Sequence, residues 1–171
     1  TLTNSPTLID GVIYTVSFGA TDLAGNSATT VSTTGITYDV TAPTISSTAP
    51  SQNSYVNHTK VSYTLDDAAA SGTITWTRTG GSADSNSPHP KALAGDELNT
   101  GAHNNITLTN SPTLVDGAIY TISFDAKDAA GNAAATVWVY DITYILSDDY
   151  YYYNYFATFE SPVCGNTLEV G

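Results

Sequence analysis

The sequence predicts an all-β chain: one complete two-layered Greek-key β-sandwich, preceded by the last three strands of an identical unit. Three observations predict it. Apolar residues alternate with polar ones in short runs, which is the period of a strand buried on one side. Residues 1–38 recur at 107–144 without gaps, offset by 106 residues, with about two-thirds of the pairs identical. A period near 100 residues is too long for a solenoid repeat and fits a sandwich domain. The chain is also poor in charge (12%), lacks Met, and is rich in Thr, Ser and Tyr, a composition that suits strands over helix bundles.

The repeat sets three segments: 1–39 as the C-terminal part of a preceding unit, 40–145 as the complete unit, and 146–171 as an aromatic tail. Within the complete unit, "TISS" (44–47) between Pro43 and Pro50 is a short first strand. "KVSYTLDD" puts Val61, Tyr63 and Leu65 on one face. "TITWTR" turns Ile74 and Trp76 inward and Thr73, Thr75 and Thr77 outward. A long polar connection follows, with room for one weak strand, then "NITLTN", which offers Ile106 and Leu108. "AIYTISFDA" offers Tyr120, Ile122, Phe124 and Ala126, and "TVWVYDITY" closes the unit. Val31/Val137 and Ile36/Ile142 are apolar in both copies but lie an odd number of residues apart. A bulge near Gly35/Asp141 brings them to one face.

The phrase "DGAIYTISFDAKDAAGN" (116–132) has its counterpart in "DGVIYTVSFGATDLAGN" (10–26). Side chains alternate across a sheet, so Tyr120, Ile122 and Phe124, like Tyr14, Val16 and Phe18, share a core face. Asp and Gly-Asn then supply a tight reversal. Leu114 precedes an Asp-Gly turn that feeds Tyr120. A Tyr at that place lays its ring in the core while its hydroxyl meets backbone of the turn, a tyrosine corner. Leu114, Tyr120, Ile122, Phe124 and Trp76, with Tyr14 and Phe18 of the first copy, are therefore the structural candidates.

"LVDGAIYTISFDAKDAAGN" resembles the L-x-x-G-x-x-Y-x-V-x-V-x-A-x-D-x-A-G-N run of fibronectin type III and bacterial immunoglobulin-like repeats. "YDVTAPTI" is similar to the linker that joins such bacterial repeats. The resemblance spans 1–144 and implies an immunoglobulin-like sandwich, with residues 1–39 supplying strands E, F and G of the earlier unit. Trp76 on the third strand is closer to immunoglobulin than to fibronectin usage. The resemblance also implies a non-catalytic structural or adhesive module of an extracellular or cell-surface protein, with neighbouring repeats, surface glycans or other cells as partners.

Composition narrows the classes further. Sixteen acidic against four basic residues give a net charge of −12, which repels nucleic acid and anionic membrane. No apolar run has the roughly 18 residues of a membrane-spanning helix. The start, without Met or an apolar signal, reads as a piece of a longer polypeptide. No nucleophile elbow, phosphate loop or Cys/His metal spacing appears, so an enzyme is not expected. His58, His89 and His103 read as solvated loop histidines, and the sequons at Asn57 and Asn105 as chance. Calcium is the candidate ligand: Asp39, Asp66, Asp67, Asp125 and Asp128, with Asp10 of the preceding unit, gather at one pole, and hard cations take oxygen ligands.

The tail "SDDYYYYNYFATFESPVCGNTLEVG" leaves the repeat. Its aromatic cluster reads as a linker or added strand, or as a sugar platform. "CGNTLEVG" resembles the opening of a myxococcal-type cysteine-rich repeat, which implies that Cys164, the one cysteine, has its partner elsewhere. The second functional expectation is a carbohydrate-binding accessory module of a secreted enzyme, with Trp138, Trp76 or the Tyr run stacking on sugar.

Overall fold

The computed structural model describes residues 3–146. Ten strands follow in order: β1 (Ile13–Phe18), β2 (Val31–Thr37), β3 (Ile45–Ala49), β4 (Tyr55–Val56), β5 (Val61–Leu65), β6 (Ser71–Gly81), β7 (His89–Ala92), β8 (Gly101–Ile106), β9 (Ala118–Lys127) and β10 (Val137–Tyr144). A 3-10 turn, Gly95–Leu98, lies between β7 and β8. The last eight strands form an immunoglobulin-like sandwich of two sheets, ordered β3-β5-β8 and β4-β10-β9-β6-β7. The first strand of the unit is split: β3 pairs antiparallel with β5, and β4 crosses to the other sheet and runs parallel to β10.

The core lies between the sheets, where period-two alternation delivers one residue in two. Val61, Tyr63 and Leu65 of β5 face Ile74 and Trp76 of β6, Tyr120, Ile122 and Phe124 of β9, and Val139, Ile142 and Tyr144 of β10. Removing such side chains from water contributes roughly 1.5–3 kcal/mol each. Leu108 and Leu114 close the core from the connection between β8 and β9. Along β6 and β9 the register is continuous from Ser71↔Lys127 to Arg78↔Tyr120. Beyond it the strands come so close that a Cβ on Gly81 would meet the Gly117 carbonyl oxygen at 2.1 Å.

The bulge sits in the last strand of each copy. The β9–β10 register shifts between Val139 and Ile142, with Asp141 at φ 58°. In β2, Gly35 occupies the same place at φ 74°. Between Gly80 and Asn104, where the sequence leaves room for one weak strand, the structure holds β7, the 3-10 turn and most of β8. These strands are short and polar, so alternation gives little signal there. β8 ends at Ile106, and Leu108 is buried just beyond it. The two-residue β4 is too short to show a period.

Residues 1–39 behave differently from their twin. β1 and β2 form an isolated antiparallel ribbon with the same bulged register as β9 and β10. With no second sheet beneath it among the described residues, the face that is core in the complete unit is open: Phe18 is 70% exposed, whereas its counterpart Phe124 is 1% exposed. Val16 and Val31 are likewise exposed, and Tyr14 is half-buried.

Candidate functional site

Two polar assemblies hold the complete unit to its surroundings. The first is the linker, residues 39–44. Asp10, in the turn before β1, accepts the Val40 N–H at 2.8 Å and the Thr41 hydroxyl at 2.5 Å. Asp66, just after β5, accepts the Thr44 N–H at 2.6 Å and its hydroxyl at 2.7 Å. Between them the Asn132 side-chain amide donates to the Asp39 carbonyl at 3.2 Å and to that of Thr41 at 3.5 Å. Asp39 turns its own carboxylate back to the Thr41 N–H at 3.0 Å. The Thr hydroxyls and backbone amides of "DVTAPT" thus bind carboxylates on both sides of the junction.

Asn132 is poised for this by its turn. Asp128 accepts the Gly131 and Asn132 N–H groups at 2.7 and 2.8 Å, and the Asn132 side chain at 2.8 Å. Asp22 and Asn26 make the same turn in the first copy. Burial alone would raise the Asp128 carboxyl, but the hydrogen bonds from Asn132 and Gly131 outweigh it and hold it below the ordinary range. Asp10 is lowered by Thr41 and Val40, and Asp66 by the Thr44 N–H and hydroxyl.

The calcium candidates are therefore engaged one by one. Asp125 accepts from the Thr136 hydroxyl and from Ser123, and Asp67 from the Ala68 N–H at 2.7 Å. Among the described residues no three His, Cys, Asp or Glu side chains come together as a metal-holding group. The sequence brought these carboxylates to one pole, but the donors that each one meets were not visible in it. Millimolar calcium or a chelator is expected to leave the melting temperature unmoved. A rise of several degrees with calcium would show carboxylates re-gathering around the ion.

The second assembly is the tyrosine corner. The Tyr120 hydroxyl accepts the Val115 N–H at 3.0 Å, as Tyr14 accepts Ile9 N–H at 2.9 Å in the first copy. In the complete unit it also donates to Asp84 Oδ2 at 2.7 Å. His89 Nε2–H donates to the same oxygen at 2.6 Å. The hydrogen bonds from His89 and Tyr120 bring the Asp84 carboxyl down to about 2. Burial, with Asp84 beside it, pushes the Tyr120 hydroxyl up to about 12. Trp76 stands edge-on to the Tyr120 ring, with centroids 6.1 Å apart.

His89 and His103 are thus not solvated loop residues. His89 pairs with Trp76 in the β6–β7 register and is buried. His103 lies in β8 with its ring stacked on Tyr63 at 4.6 Å. No sequence pattern announced Asp84 or His89, because the strand that holds His89 is hidden in a polar run. Glu97 is buried too, with its carboxylate filled by the Ala94 and Thr109 N–H groups and the Thr109 hydroxyl. The two tryptophans separate: Trp76 is fully buried in the core, so it cannot stack on sugar, while Trp138 is 50% exposed on β10. The tail aromatics, Cys164 and the cysteine-rich resemblance lie outside the described residues.

The sandwich, the duplicated corner and the fastened linker define a tandem immunoglobulin-like repeat. The model of the bacterial Ig-like domain family matches residues 39–142, and the chain belongs to that family. Comparison with the curated proteins and with the solved structures returns no match. Domains of this family commonly occur in surface proteins and are typically non-catalytic.

Proposed function

We propose that the chain is a stiff, non-catalytic spacer segment of an extracellular or cell-surface protein, in which successive sandwiches are held at a set angle. The observation that carries this reading is the linker fastened from both sides by Asp10, Asn132 and Asp66. A flexible tether keeps its backbone hydrated, whereas this one gives its amides to side chains of the flanking units. The geometry is repeated downstream. Asp116 is the counterpart of Asp10, and it accepts the Leu146 N–H at 2.7 Å, where Leu146 is the counterpart of Val40. Copying a unit together with its exit clamp lengthens a rod without adding a hinge. The acidic surface keeps such rods apart.

Limited proteolysis tests this reading. The linker 39–44 is expected to resist cleavage in the full chain, and to be cut several-fold faster when Asp10→Ala and Asn132→Ala are combined, because local opening controls access. Equal cleavage of both proteins would mean that the clamp holds nothing, and the spacer reading would fall with it.

A further inference from the structure

We propose that the outer face of the β4-β10-β9-β6 strip binds a neutral polysaccharide, whose sugar rings stack on Trp138 and Tyr140. This goes beyond spacing and stands on different observations. Trp138 and Tyr140 flank the buried Val139 on β10, so both point away from the core, and they are 50% and 46% exposed. Their rings lie nearly parallel, 16° apart in plane, with centroids separated by 6.5 Å. Tyr55 of β4, 75% exposed, pairs with Thr143 on the same outer face.

The fold does not require these rings. In the first copy the matching residues are Ser32 and Thr34, and Ser32 instead meets Ser17, hydroxyl to hydroxyl, at 2.8 Å. Beside the rings lie the partly exposed hydroxyls of Thr75, Thr77 and Thr143, while Ser123 and Thr121, which stand between β10 and β6 in the register, are buried. Between Asp125 at one end and Asp141 at the other, these positions hold no charged side chain.

The chemistry of such a strip selects its occupant. An aromatic face is electron-rich and attracts the weakly positive C–H bonds on the flat face of a pyranose. Tyr and Trp offer that area at low conformational cost, and β-branched Thr is already stiff. The partly exposed hydroxyls of Thr75, Thr77 and Thr143 exchange hydrogen bonds with sugar hydroxyls as donors and acceptors alike. The uncharged strip on a chain of net charge −12 matches a neutral polymer and turns away an anionic one. An open row of rings along β10, rather than a pocket, fits a chain of sugars, not a single one.

The test uses the full chain and particles of microcrystalline cellulose, chitin and β-1,3-glucan, with calcium alginate beads as the anionic control. Retention is expected on at least one neutral polymer, and Trp138→Ser combined with Tyr140→Thr is expected to weaken it by at least about tenfold. Those two residues are the ones the first copy carries in the same strand, so the variant should keep the parent's melting temperature. No retention on any of the three, equal retention by the variant, or preference for alginate would overturn the proposal. So would a wild-type dimer that the variant dissolves, since the rings would then be covering one another.

Discussion

Phe124→Ala is expected to lower the free energy of unfolding by about 3–5 kcal/mol, and Phe18→Ala by less than about 0.5 kcal/mol. The two residues sit at the same position of the same duplicated phrase, and in the sequence only the missing first strands of the earlier unit set them apart. What differs is what lies beneath them. Phe124 is enclosed by Tyr63 of the opposite sheet, with ring centroids at 6.3 Å, and stands opposite Ile74 on the neighbouring strand. Deleting it removes buried apolar surface and leaves a cavity that the stiff strands cannot close. Phe18 has β2 beside it and no second sheet among the described residues, and is 70% exposed. Urea unfolding followed through the buried Trp76 reads the first loss, and amide exchange in β1 and β2 reads the second. A two-stranded ribbon on its own is only marginally stable in water. A large cost for Phe18→Ala would therefore reveal that the ribbon is buried against another surface in solution.

This pair also shows how far the sequence can be read. Alternation located β5, β6, β9 and β10 and gave their core faces, because long, half-buried strands print their period on the chain. The odd spacing of Val137 and Ile142 even located the bulge at Asp141. Burial is different, since it depends on the partner sheet. Phe18 carries the core signature of Phe124 without a core to enter. The acidic residues show a related limit. Asp39, Asp66 and Asp128 each bond Thr, Asn or backbone donors, within a few residues of chain or across the linker, and among the described residues no three such side chains come together. The Thr44 hydroxyl and N–H fill Asp66, the Thr41 N–H fills Asp39, and Asn132 with Gly131 fills Asp128, and spacing does not distinguish such donors from a cation.

The buried polar knot at the tyrosine corner gives the second large effect. Tyr120→Phe is expected to cost about 1.5–3 kcal/mol at neutral pH, the range for hydrogen bonds to charged groups. The hydroxyl serves two partners: it accepts from the Val115 N–H, which holds the turn, and donates to Asp84. Its loss leaves the Asp84 carboxylate with His89 and the Asn86 N–H alone. The pH profile separates this from a plain packing loss. An Asp held at about 2 in the folded state, against roughly 3.9 when unfolded, adds stability that is present above pH 4. That contribution is lost as the pH falls toward 2. Asp10, Asp22, Asp66 and Asp128 are lowered as well and share the acid loss. The Tyr120 hydroxyl works in the other direction. Raised to about 12, it adds stability that is present below about pH 10, its unfolded value, and that disappears as the pH climbs through 12. In Tyr120→Phe the carboxyl of Asp84 moves back toward its ordinary value, so the variant should lose less on acidification, and the alkaline fall should shrink to the share of Tyr63, which burial also raises. Unfolding free energies measured from pH 2 to 12 for both proteins test this: two parallel curves would mean that hydroxyl and carboxylate are not coupled, and that Tyr120 contributes through its ring alone.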